Sequence, residues 1–167
     1  LDGKDVVYDG VNFPGLGIAN PTPEVARANI AEIHAAGASF LKIYEMVTPE
    51  VFAAIVEEAG ARNLPIDGHV PLSMRARDVA PQVQSLEHLR NYEMDCVEDP
   101  ELWLATRQAE LANVANEPGN VLRSRLHTLQ RLTAITNEDP VVCAETTEAL
   151  KATITVPTLR MNSMDLY

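Results

Sequence analysis

Three polar residues recur at matched places along the chain: Lys42, His69 and His88. They are 27 and 19 residues apart. Each sits in a short, strand-like run. These runs are Phe40-Leu41-Lys42-Ile43-Tyr44, Gly68-His69-Val70-Pro71 and Ser85-Leu86-Glu87-His88-Leu89. A neutral imidazole is a good Zn²⁺ ligand, and an oxygen anion can bridge two cations. If the runs are adjacent parallel strands, ~4.8 Å apart, their ends can bring such groups onto one ion. Each residue also has a plainer reading. Lys42 could be a strand-end lysine with a solvated head. His69 could bond backbone at a strand end, and His88 could pair with Glu87 alone. The remaining histidines, His34 and His127, lie in helical stretches and read as structural or exposed.

The elements that must position these residues announce themselves as a repeat. Thr22-Pro23-Glu24-Val25 recurs as Thr48-Pro49-Glu50-Val51, 26 residues later. Thr is a good N-cap because its hydroxyl accepts from a free backbone N–H. Proline at the first helical position loses no hydrogen bond, and an acid in the first turn suits the helix dipole. Ala26, Ile30, Ile33 and Gly37 then share one helical face, as do Phe52, Ile55, Val56 and Ala59. Each helix leads into a strand run, over 39–44 and 65–70. A third, shorter unit follows, with a brief helix over 73–79 and a strand over 85–89. Alternating helices and strands imply an α/β fold with parallel strands. The three chemical residues would then lie near the C-terminal strand ends, where such folds place their sites.

The regularity fails after Tyr92. Residues 93–101 hold five acids. Asp99-Pro100-Glu101 starts a helix carrying Leu104, Gln108 and Leu111, and Glu117-Pro118-Gly119-Asn120 breaks it. A second helix shows Leu122, Leu126, Leu129 and Leu132 on one face, and Asp139-Pro140 starts a third. Thr153-Ile154-Thr155-Val156 reads as the next strand. Residues 93–151 are thus expected to be a helical insertion in one connection, a solvated hairpin rather than a binding element.

Composition bounds the partners. The 167 residues suit one domain, given ~150 residues per domain. Lys plus Arg is 13 against 24 Asp plus Glu, a net charge of −11. That balance argues against nucleic acid and against an anionic membrane surface. No apolar run approaches the ~20 residues of a membrane span. Cys96 and Cys143 form neither a disulfide framework nor a metal knuckle, and both are expected as free thiols, buried or half-buried. The chain begins at Leu1 without a basic and apolar leader, so it reads as a cut within a longer protein, and its compartment is not legible.

The three strand runs, in this order and spacing, resemble successive strands of the metal-dependent amidohydrolase superfamily. The branch they resemble is that of imidazolonepropionase-like enzymes and metal-dependent X-Pro dipeptidases. Val156-Pro157-Thr158-Leu159 resembles the next strand of that branch. The likeness covers roughly residues 22–92 and 152–160. It implies part of a (β/α)8 TIM-type barrel, about strands three to seven, with residues 93–151 inserted. Lys42 would then be a catalytic lysine, carboxylated to a carbamate that bridges two metals. His69 and His88 would be metal ligands from the next two strands. Carbamylation needs a neutral amine, whereas free lysine has a pKa of ~10.4, and nearby cations would depress it.

The resemblance implies a hydrolase of amide or other C–N bonds acting on a small-molecule or peptide-like substrate. One or two divalent ions, Zn²⁺ first among them, would activate water and polarise the carbonyl. The pattern is also incomplete. The family's His-x-His pair of strand one does not occur, and Asp165 comes too soon to be the general-base aspartate of strand eight. The chain therefore reads as supplying part of an active site. The alternative is a non-catalytic folded fragment or assembly module without a complete metal site. Tyr44, Arg90 and Tyr92 lie near strand ends and could line a pocket or simply pack. Missing strands would leave sheet edges unpaired, to be filled by a homo-oligomer or by the remainder of the barrel.

Overall fold

A computed structural model of the chain describes residues 1, 3, 17–89, 91–112 and 119–157. Both copies of the repeat start helices where the capping logic puts them. α1 is Pro23–Ala35, and Thr22 accepts from the Val25 N–H at 3.3 Å. α2 is Pro49–Ala61, and Thr48 accepts from the Val51 N–H at 3.4 Å. Ala26, Ile30, Phe52, Ile55 and Ala59 are buried, with Ile33 and Val56 half-buried against them. Gly37 takes φ +89° just past α1, a left-handed turn that releases the chain toward the sheet.

The strands are β1 (Leu41–Ile43), β2 (Ile66–Gly68), β3 (Ser85–Glu87) and β4 (Ile154–Val156). They form one parallel sheet in the order β1-β2-β3-β4. Period-two alternation separates its two faces. Leu41, Ile43, Ile66 and Leu86 point into the core beneath the helices. Lys42, Asp67 and Ser85 stand in register on the opposite face, and the Ser85 hydroxyl donates to Asp67 at 2.7 Å. The expected α/β fold with parallel strands is thus present, and the described residues form an open sheet.

The two sheet edges differ from each other. At β1 the Tyr44 N–H donates to the Leu1 carbonyl at 2.9 Å, and the Leu1 amine donates to the Lys42 carbonyl at 2.7 Å. Leu1 therefore occupies the outer edge of β1. On β4, all three residues are exposed.

Between β2 and β3 lies α3 (Ala76–Val79), followed by a short 3-10 turn. Between β3 and β4 come a second 3-10 turn (Glu93–Asp95), α4 (Pro100–Ala112), α5 (Gly119–Leu126), a π-helical stretch (His127–Arg131), α6 (Leu132–Thr136) and α7 (Pro140–Ala149). Asp139 caps α7 by accepting from Val141 and Val142.

Three sequence expectations for this segment are corrected. Cys96 and Cys143 are not free thiols but form a disulfide that ties the second 3-10 turn to α7. On α4 the inward residue is Arg107, which donates to the Leu72 carbonyl at 2.9 Å and to Gln130 at 3.0 Å. Leu122 and Leu126 are buried, but Leu129 and Leu132 are 55% and 63% exposed. The π stretch is the reason. It adds a residue to the turn, so the inward positions become 122, 126, 130 and 134.

Candidate metal centre

The site is built at the C-terminal ends of β1, β2 and β3. At β2 the chain turns on Gly68, with φ +137°. A Cβ there would lie 2.2 Å from the Ile43 carbonyl oxygen, so only glycine allows this approach. The turn is completed by His69, whose N–H donates to that carbonyl at 3.2 Å. Beyond β3, His88, Leu89 and Asn91 take φ of +67°, +46° and +70°. Side chains with a Cβ enter this region at a cost, and runs of such residues gather at functional sites.

The structure brings Lys42, His69 and His88 together around Glu87. The Lys42 ammonium donates to the Glu87 carboxylate. His88 Nε2 lies 3.7 Å from the same carboxylate. The His69 and His88 rings meet edge-on, with centroids 5.0 Å apart. One ligand atom each from His69, Glu87 and His88 falls within 4.8 Å of the others. The carboxylate of this group is thus Glu87, which the spacing suggested only as a neighbour for His88. Lys42, expected among the ligands, is paired with Glu87 here. Burial raises the Glu87 carboxyl, but the Lys42 hydrogen bond and charge, with His88 and His69, bring it below its ordinary value.

His69 is held from behind by Glu45, a fully buried residue that sequence reasoning did not single out. His69 Nδ1 bonds Glu45 Oε1 at 2.7 Å. Glu45 also accepts from Arg123 at 2.6 and 2.9 Å and from His127 Nε2 at 2.7 Å. Burial would push the Glu45 carboxyl up, yet hydrogen bonds from His127, His69 and Arg123 hold it well below the usual carboxylate range. The segment expected to be a solvated hairpin therefore sends two side chains to the strand ends. No local pattern could reveal this, because Arg123 and His127 lie 78 and 82 residues from Glu45.

Tyr44 packs on His69 with ring centroids 4.4 Å apart, and the Arg123 guanidinium lies 5.6 Å over the Tyr44 ring. Tyr92 is elsewhere, with its hydroxyl 2.6 Å from Thr147. Arg90 lies outside the described residues.

Two observations fit this group to a divalent ion. His69 Nε2 is buried without a hydrogen-bond partner among the described residues, while its other nitrogen is bound to a carboxylate. A metal-ligating histidine is oriented in this way by an outer carboxylate. Two imidazoles and one carboxylate also match a catalytic zinc donor set, in which three protein ligands leave a position open.

No family model matches the chain, and no curated protein does. Among solved structures it is similar to a bottromycin amidohydrolase, at 20% identity and a TM-score of 0.47. The likeness covers 88% of this chain and 40% of that one, so the chain spans less than half of its neighbour's length.

Proposed function

We propose that the chain carries part of the active site of a metal-dependent hydrolase acting on amide or other C–N bonds. The observation that carries this reading is the meeting of His69, Glu87 and His88 within 4.8 Å at the ends of adjacent parallel strands. The choice of C–N bonds rests on the likeness of the strand motifs to amidohydrolases.

A divalent ion held by these three residues, Zn²⁺ first among candidates, would lower the pKa of a bound water and polarise a carbonyl. The chain's own residues prepare the place. Glu45 fixes the His69 ring, Tyr44 limits its rotation, and Lys42 holds Glu87 toward the two imidazoles. The ammonium of Lys42 and a carbamate at the same nitrogen are alternative states. Both a carbamate and Glu87 are anionic, so the modified lysine would have to part from Glu87. Substrate would approach from the face carrying Lys42, Asp67 and Ser85, whose polar groups suit an amide.

Calorimetric titration with Zn²⁺ tests the reading. The unmodified chain should bind one ion weakly, because three protein donors leave a structural shell incomplete. His69→Ala, Glu87→Gln and His88→Ala should each lower that affinity at least tenfold. Equal affinity in all three variants, or no binding by the unmodified chain, would overturn it.

A further inference from the structure

We infer that Arg123 and His127 are positioning residues which, through Glu45, hold the His69 ring in a single tautomer and orientation. The purpose of this arrangement rests on the metal-site reading above; its geometry rests on hydrogen bonds alone. A carboxylate can only accept, so each nitrogen bonded to Glu45 must carry a hydrogen. His69 therefore carries a hydrogen at Nδ1, so in the neutral ring the lone pair falls to Nε2, which is buried and has no hydrogen-bond partner among the described residues. His127 is likewise protonated at Nε2.

The strength of the device lies in its geometry. Arg123 meets both oxygens of Glu45 side-on through Nε and Nη2, which fixes the plane of the carboxylate. His127 fills a further acceptor site on Oε2. These contacts narrow the directions from which Glu45 can receive His69 Nδ1. Tyr44 closes the ring from another side and is itself covered by Arg123. Arg123 and His127 stand four residues apart at the junction of α5 with the π-helical stretch, on one side of the helix. A segment outside the strand repeat thus sets the orientation of a residue inside it.

The test uses metal-free protein labelled with ¹⁵N-histidine and long-range ¹H–¹⁵N correlation, followed by Zn²⁺ titration. The unmodified chain should show His69 only as the Nδ1-protonated tautomer. His127→Ala and Arg123→Gln should give a mixture and lose 10- to 100-fold in Zn²⁺ affinity. His127→Gln, which still donates an N–H, should recover most of that loss. A single tautomer with unchanged affinity in His127→Ala would overturn the inference, whatever its effect on stability. If Arg123→Gln does not fold, the two His127 variants decide. A locked tautomer without Zn²⁺ binding would support the clamp and refute the metal reading. Binding with mixed tautomers in the unmodified chain would do the reverse.

Discussion

A methyl group at residue 68 would meet the Ile43 carbonyl oxygen at 2.2 Å on a backbone that L residues rarely adopt. Gly68→Ala should therefore destabilise by about 3 kcal/mol or more, and it should displace His69. Urea unfolding measures the first effect and Zn²⁺ titration the second. A loss below about 1 kcal/mol would mean that β1 and β2 can move apart. A second prediction concerns Asp95, buried beside Arg75 and Arg107. Burial pushes its carboxyl above the ordinary 3.8, against both guanidinium groups and the N–H groups of Ala76 and Arg77. A group with a raised folded pKa supports folding below its unfolded pKa and loses that support as pH rises through the folded one. Relative to Asp95→Asn, the unmodified chain should thus lose Tm as pH rises from the ordinary 3.8 through the raised folded value. A gain over that range in thermal scans would mean that the arginines outweigh burial. The strand-end placement of Lys42 and His69 was legible because each follows a Thr-capped helix at a matching offset, and that of His88 because a third, shorter unit follows. Glu45 was not, because it gains its meaning only from side chains that are distant in sequence.

At the scale of the elements, the helix caps and strands could be read from local chemistry. Thr-Pro-Glu fixes a helix start within a few residues, and short apolar runs between turns become strands. The helix after Gly119 could not be read in this way. Its leucines have α-helical spacing, but a π turn moves the inward face onto Gln130 and Ala134. This shift makes a paired prediction. Leu126→Ala should cost about 2–5 kcal/mol, as expected for a buried leucine. Leu132→Ala should stay within about 0.5 kcal/mol, as expected on the surface. Equal costs in denaturant unfolding would place both leucines on one face and remove the π turn from the argument. The same turn matters to the site, since Arg123 and His127 flank the point where α-helical spacing gives way.

At the scale of the molecule, one sheet carries two chemistries. Its apolar face is closed by helices, while the other face bears Lys42, Asp67, Ser85 and Glu87 on β1–β3 and the exposed Ile154 and Val156 on β4. The parallel order of strands followed from the alternation of helix and strand. The path of residues 93–151 did not, because their packing against the strand ends depends on contacts distant in sequence. The disulfide belongs to this scale as well. It closes a loop of 47 residues between Cys96 and Cys143. By chain entropy it should add about 4 kcal/mol, which reduction or Cys143→Ser should remove. A loss below about 1 kcal/mol would show that packing alone holds the segment.

That bridge has a consequence for proteolysis. Any single backbone cut between residues 97 and 142 falls inside the loop it closes. Both halves then remain one covalent molecule, and the peptide bearing Arg123 and His127 stays tethered near Glu45 at high effective concentration. A nicked chain should therefore migrate as one species without reductant, retain its Zn²⁺ affinity, and separate into two fragments once dithiothreitol is added.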